Sequence, residues 1–217
     1  MEIDLLKNYP KAKRDLSARL ESKSEEVRNI ARKFGKDFFD GARECGYGGF
    51  YYNSRFWQDV IPDFADHWDL GDNNSILDIG CAKGFMIHDF LELLPSLRME
   101  GIDISEYAIK NGYPSVQHLL KVASCDKLPY EDNSFDYAIS VNSIHNLDKE
   151  GVIKSLQEIK RVTTHGSFIT VDAYRDDEEK ARMFAWNLTA KTILHVDEWK
   201  ELFIEADYEG DYFWFIP

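Results

Sequence analysis

The run Ile76-Leu77-Asp78-Ile79-Gly80-Cys81-Ala82-Lys83-Gly84-Phe85 constrains this chain more than any other stretch. An apolar segment ends in an acid, Asp78, and small residues follow at every second position, Gly80, Ala82 and Gly84. The pattern predicts a buried strand that turns, through a loop almost bare of side chains, into a helix starting near Phe85. Where no Cβ stands in the way, such a backbone can approach a ligand closely and keep its amides free to donate.

The acids that follow give the loop its meaning. Met99-Glu100-Gly101-Ile102-Asp103-Ile104-Ser105 reads as a second apolar strand ending in an acid, and Val122-Ala123-Ser124-Cys125-Asp126 places a third acid just past a third apolar stretch. A fourth strand, Ser134 to Asn142, is left at a polar cluster. Helical patterns at Phe85–Leu94, Tyr107–Asn111 and Lys149–Arg161 alternate with these strands. Alternation of this kind predicts an α/β chain: a Rossmann-like, doubly wound, mostly parallel sheet with helices on both faces. Ligands of such sheets bind outside the carboxyl ends of the strands, where all four polar clusters fall.

Two cofactor readings compete at this point. A dinucleotide site wants Gly-x-Gly-x-x-Gly with a pyrophosphate on the helix N-terminus. Here the order is Asp78-x-Gly80-x-Ala82-x-Gly84, then Asp103, then Asp126. That order resembles the class I S-adenosylmethionine-dependent methyltransferases. The chemistry agrees, because a sulfonium, an amine, a ribose diol and an adenine amino group suit carboxylates, whereas a pyrophosphate does not. The resemblance extends through Leu128–Ser140, Glu158–Tyr174 and His195–Ile216. The N-terminal block containing Gly46-Tyr47-Gly48-Gly49 is also similar to an uncharacterised bacterial subgroup associated with surface-polysaccharide pathways.

The resemblance implies roles for particular residues. Gly80, Ala82 and Gly84 line the methionine and ribose, with Cys81 inside the same loop. Asp78 braces the loop and the methionine amine. Asp103 holds the ribose hydroxyls and Ile104 packs on the adenine. Asp126 accepts from the adenine amino group, Cys125 lies beside the ring, and Asn142, at the end of the fourth strand, counts among the cofactor-binding residues. Ala82 departs from the family, which usually has glycine there, and narrows the loop. The family sheet also ends in two strands, the last antiparallel, whereas Asp211–Pro217 offers one. Either Lys191–His195 supplies the missing strand or the sheet is trimmed.

Composition narrows the substrate. The formal net charge is −13, from 26 basic and 39 acidic residues. A nucleic-acid enzyme needs a basic track along phosphates, and the one basic concentration, Lys7–Arg32, is interrupted by Asp15, Glu21, Glu25 and Glu26. The expected partner is therefore a small-molecule acceptor, with no nucleic acid and no membrane; no apolar run nears the roughly 20 residues a span requires. Cys45, Cys81 and Cys125 show no paired spacing, and Met1–Lys7 has no signal-peptide core. Both point to a cytoplasmic protein with reduced thiols. The histidines show no metal-ligand spacing, so no metal is expected.

For the reaction, His145 follows the fourth strand, near where an acceptor would meet the methyl group, and imidazole titrates near neutrality as a base should. The alternative is that His145 only caps its loop. Acceptor contacts are expected from Tyr47, Tyr51, Tyr52 and Arg55 in a glycine- and tyrosine-rich segment, and from Asp172 and Tyr174 at the end of the fifth strand. Glycines flanking tyrosines suggest a lid; the other reading is an arm that packs its aromatics on the sheet. The expected division is residues 1–55 as a helical arm and lid, and 56–217 as the methyltransferase domain. Leu16, Leu20, Val27, Ile30, Ala31 and Phe34 suggest amphipathic helices, broken near Glu21–Ser24, that cover the active face or pair subunits as a homodimer. The expected function is O-methylation, ahead of N-methylation, of a small polar acceptor such as a sugar or nucleotide sugar. Its alternatives are a protein or nucleic-acid methyltransferase and a non-catalytic cofactor-binding regulator.

Overall fold

A computed structural model describes residues 1–10, 24–47 and 51–217. Strand β1 (Ser75–Ile79) leads through the glycine loop to helix α4 (Phe85–Leu93), then to β2 (Arg98–Asp103), α5 (Glu106–Lys110) and β3 (Leu120–Val122). Next come β4 (Phe135–Val141), α6 (Lys149–Val162), β5 (Thr163–Tyr174), α7 (Asp177–Trp186), the short β6 (Leu194–His195), α8 (Val196–Glu205) and β7 (Asp211–Phe215). Ahead of β1 lie α1 (Glu25–Ala31), α2 (Lys36–Asp40) and α3 (Ile61–Trp68).

The sheet runs β3-β2-β1-β4-β5, with β6 on the last residues of β5 and β7 along the rest of that edge. Chain order reverses between β1 and β4, so the carboxyl ends of those two strands open the crevice in which such folds bind ligands. Every residue of β1 is buried, as a central parallel strand covered on both faces requires. Alternation splits the core in two. Leu77, Ile79, Ala138 and Ile169 pack with Leu156 of α6 and Trp199 of α8. Ile76, Ile139 and Phe168 pack with Phe64 of α3 and Phe90 of α4.

The last strand resolves the question left open by the sequence. β7 follows α8 as a crossover, which returns a strand parallel to its neighbour, and it pairs β5 from Phe168↔Asp211 to Asp172↔Phe215 in that sense. Leu194–His195 adds two parallel pairs at the far end of β5. Among the described residues all strand pairings are thus parallel, and the antiparallel strand of the family pattern has no counterpart.

The first residues do not belong with the arm. Glu2 bridges Tyr212 on the outer side of β7, and Leu5 is buried against the α3 face. Helix α1 covers Val27, Ile30 and Ala31 as expected, while Leu16, Leu20, the Glu21–Lys23 part of the expected break and the Gly48-Gly49-Phe50 part of the expected lid lie outside the described residues.

Candidate functional site

The loop after β1 alternates left-handed residues: Gly80 at φ 83°, Ala82 at 50° and Gly84 at 77°. It is stitched to β2, since the amides of Gly80 and Cys81 both donate to the Ile102 carbonyl, at 2.8 and 2.9 Å. Gly80 is required by crowding as well as by φ. A Cβ there would lie 2.2 Å from Ser143 Oγ, on the turn after β4. The glycine loop therefore lies directly against the turn after β4, beyond the carboxyl ends of two parallel neighbours. Ala82 keeps its methyl in a conformation that costs an ordinary residue roughly 1–2 kcal/mol, and its amide is fixed by Asp103 Oδ2 at 2.9 Å.

Asp103 ends β2 and is buried; its other oxygen accepts from the Ser105 amide at 2.8 Å. Burial pushes its carboxyl pKa up, and the two amide bonds oppose that shift. Asp78 is 3% exposed, and among the described residues its carboxylate has no hydrogen-bond partner. Burial, and then the charge of Asp103, hold its pKa well above the usual carboxylate range. Two buried acids, one with an unpartnered carboxylate, suit a cation or a set of hydrogen-bond donors. Ile104, next to Asp103, leaves 55% of its surface exposed at the strand end. Cys81 is buried, and its thiol is pushed up by burial and then by Asp78 and Asp103. Cys125 accepts from the Ser155 hydroxyl at 3.3 Å, Asp126 from Ser124. Asn142 is left-handed at φ 51° and exposed, its side-chain oxygen tied to Thr170 Oγ1 at 2.9 Å.

A second group of residues gathers at the end of β5. Asp172 is buried, and the Tyr47 hydroxyl nearby accepts from the Leu188 and Thr189 amides at 2.7 and 3.4 Å. Burial and then the Asp172 charge push the Tyr47 phenol up to about 12, so it remains a hydroxyl at neutral pH. Its ring stacks on Trp186 at 5.8 Å. The other expected acceptor contacts do not join this group. Tyr52 donates to Asp89 Oδ1 of α4 at 2.6 Å and packs on His88 and Tyr113. Tyr51 is 82% exposed, Arg55 lies over Phe56, and Tyr174 faces His195 and Lys180.

His145 requires a correction. It sits 3% exposed in the turn Ile144–Asn146, and its Nδ1 accepts from the Asp172 amide at 3.0 Å. That bond fixes the proton on Nε2, which lies 3.7 Å from Asp172 Oδ1, too far for a hydrogen bond. Burial lowers its pKa to about 3. With its Nδ1 lone pair spent on the Asp172 amide and its ring buried, His145 in this conformation has no free lone pair with which to take a proton. A pH test follows. The folded state takes up the proton only near pH 3, while the unfolded chain does so near 6.5. Stability should therefore fall as pH drops through that window, since the unfolded state binds more protons there. We expect the melting temperature of His145→Gln to fall less steeply than wild type between pH 6.5 and 5; parallel slopes would refute the buried neutral imidazole.

A third feature has no local sign in the sequence. Asp40, at the end of α2, pairs with Lys83 Nζ of the glycine loop at 2.6 Å and accepts from the Tyr107 hydroxyl of α5 at 2.8 Å. Burial raises its pKa, but the bonds to Lys83 and Tyr107 outweigh that and hold it below the usual range. The Phe34 carbonyl accepts from the Ser105 hydroxyl, beside Asp103. Away from all of this, a depression of about 360 Å³ lined by Lys160, Thr163, Ser167, Tyr208 and Gly210 opens where β5 begins, at the opposite end of the strands.

Comparison with known proteins points to methyltransferases. Residues 76–166 match the family model described as a methyltransferase domain. The tRNA (carboxymethyluridine(34)-5-O)-methyltransferase of Arabidopsis thaliana is 34% identical over 133 residues, 60% of this chain and 31% of that protein. The sterol 4-C-methyltransferase strm-1 of Caenorhabditis elegans is 28% identical, over 52% of this chain and 35% of its own length. The chain thus spans about a third of the length of these two curated relatives. A solved structure of Haemonchus contortus phosphoethanolamine N-methyltransferase 2, in complex with phosphomonomethylethanolamine and S-adenosylhomocysteine, shares the fold. Its TM-score is 0.59 at 16% identity, over 81% of this chain and 44% of that one.

Proposed function

We propose that this chain, whose residues 76–166 match a methyltransferase domain, transfers the methyl group of S-adenosylmethionine to a small polar acceptor. An oxygen acceptor is favoured over nitrogen, with a sugar or nucleotide sugar as the first class to try. The observation that carries the reading is Asp78, a buried carboxylate with no hydrogen-bond partner among the described residues, beside Asp103 and under a left-handed loop. Asp78 would hold the cofactor's ammonium, Asp103 its ribose hydroxyls, Ile104 the adenine face and Asp126 the adenine amino group. When bound, the cofactor supplies a methyl group on a cationic sulfur leaving group, so alignment provides much of the acceleration.

The acceptor end belongs to Asp172 and Tyr47. Asp172 is the carboxylate suited to take the proton of an acceptor hydroxyl as its oxygen gains the methyl group. His145 fixes the Asp172 backbone from one side, and Trp199 Nε1 fixes its carbonyl at 3.0 Å from another. Tyr47, a neutral phenol, orients the acceptor and keeps water out. The Arabidopsis relative, named for a tRNA substrate, lends support to a macromolecular acceptor; the net charge of −13 weighs against that for this chain.

Calorimetric titration with S-adenosylhomocysteine comes first, with micromolar binding expected. Methyl uptake from labelled cofactor is then compared across nucleotide sugars, bulk tRNA and protein extract. Uptake into tRNA alone would replace the small-molecule reading, and absence of cofactor binding would end the methyltransferase reading.

A further inference from the structure

We infer that residues 34–47 form a strap across the cofactor site, latched by Asp40 on Lys83, and that this latch must open for cofactor to exchange. The inference rests on the methyltransferase reading above. Three contacts trace the strap's path. The Phe34 carbonyl meets Ser105 after β2. Asp40 meets Lys83 after β1 and Tyr107 on α5. Tyr47 meets Leu188 and Thr189 in the segment following α7, with Asp172 of β5 close by. Since the sheet order is β2-β1-β4-β5, a chain tied at both ends of that series passes over the carboxyl ends of four adjacent strands. Those ends are where the glycine loop, Asp78 and Asp103 lie.

The strap is fastened at points and not packed throughout. Helix α2 buries none of its five residues fully, and segments with few buried contacts open at low free energy. Glycines bound the helix on both sides, Gly35 at its N-cap and Gly41 at its C-cap. A Cβ on Gly41 would lie 2.3 Å from the Asp37 carbonyl oxygen, so the chain can leave the helix at this angle only as glycine. Phe34 holds φ at 48°, a conformation that a bulky residue keeps only where its surroundings impose it.

Lys83 is the telling partner. It stands between Ala82 and Gly84, its side chain is 9% exposed, and its ammonium faces Asp40. Its own carbonyl accepts from the Tyr113 amide at 2.8 Å. A displacement of Asp40 therefore reaches the residues that flank Lys83 in the cradle. Because the same strap carries Tyr47 to the acceptor end, closure over the cofactor also completes the acceptor pocket. The cofactor accordingly binds before the acceptor, and S-adenosylhomocysteine leaves last, after the latch opens. Asp40 acts here as a positioning residue, through Lys83.

The test is the rate at which tritiated S-adenosylhomocysteine leaves the full-length protein when chased with unlabelled S-adenosylmethionine. Asp40→Asn should release it about tenfold faster, Tyr107→Phe about threefold faster, and Asp40→Glu, which restores the charge, within threefold of wild type. Should Asp40→Asn fail to fold, Tyr107→Phe alone decides. Release within twofold of wild type in folded Asp40→Asn and Tyr107→Phe would overturn the latch while leaving cofactor binding intact. Absence of retention by the wild type would overturn the reading beneath it as well.

Discussion

Asp103→Ala should weaken S-adenosylhomocysteine binding by a hundredfold or more while changing the melting temperature little. The carboxylate has two tasks that alanine cannot perform. It fixes the Ala82 and Ser105 amides, at 2.9 and 2.8 Å, and so holds the loop and the start of α5 in place. In the proposed complex it also accepts from two ribose hydroxyls. Hydrogen bonds to a charged group are worth about 1.5–3 kcal/mol each, and each 1.4 kcal/mol is about tenfold in affinity. Two of them reach a hundredfold before any loosening of the loop is counted. Stability behaves differently because the folded protein already pays for two buried acids side by side. Removing Asp103 loses two amide bonds but relieves Asp78, whose pKa its charge helps to raise. Asparagine is no remedy, since its amide nitrogen would turn a donor toward one of two backbone donors. Titration of wild type, Asp103→Ala and Asp103→Asn, paired with thermal melts, separates the effects. Binding within tenfold of wild type in the alanine variant would remove Asp103 from the ribose.

What the sequence disclosed follows from how local each feature is. The strand-loop-helix at Ile76–Phe85 is written in ten consecutive residues, Asp103 ends β2 and Asp126 lies in the turn beyond β3, so strand order alone puts both past the carboxyl ends of neighbouring strands. The order of helices and strands was legible for the same reason. Contacts between distant segments were not. Asp40 and Lys83 are 43 residues apart, and Tyr47 and Leu188 are 141 apart; no short window contains either pair. Tyr52 shows the same difficulty from the other side. Its place among glycines and aromatics suggested an acceptor contact, yet its hydroxyl is spent on Asp89, a buried acid in an otherwise ordinary amphipathic helix. The role of His145 depended on one backbone amide, that of Asp172, and a sequence carries no sign of which ring nitrogen will be occupied. The direction of β7 was equally hidden, because it depends on which edge the crossover after α8 reaches.

Gly80→Ala should be among the most damaging single methyl groups that can be added to this chain. At φ 83° an L residue pays roughly 1–2 kcal/mol for the left-handed conformation. The added carbon would also fall 2.2 Å from Ser143 Oγ and 2.4 Å from Ser143 Cβ. Rotation of the hydroxyl answers the first contact but not the second, so the turn after β4 must move, at an overpacking cost of about 1–3 kcal/mol. A total of about 3 kcal/mol corresponds to a fall in melting temperature of about 6–12 °C for a chain of this size. Cofactor affinity should fall at least tenfold, because Gly80 joins Asp78 to the loop. Adding Ser143→Gly removes the collision and leaves the strain, so the double variant should recover about half of the lost stability. Ala82 provides the contrast within the same loop. It already carries a methyl at φ 50°, so Ala82→Gly exchanges relief of strain for the roughly 0.5–1 kcal/mol that glycine loses in chain entropy and should be nearly neutral. If Gly80→Ala proves as mild as Ala82→Gly, the close approach of Gly80 to Ser143 is not what shapes the loop, which must then be held by its amide bonds to Ile102 and Asp103 alone.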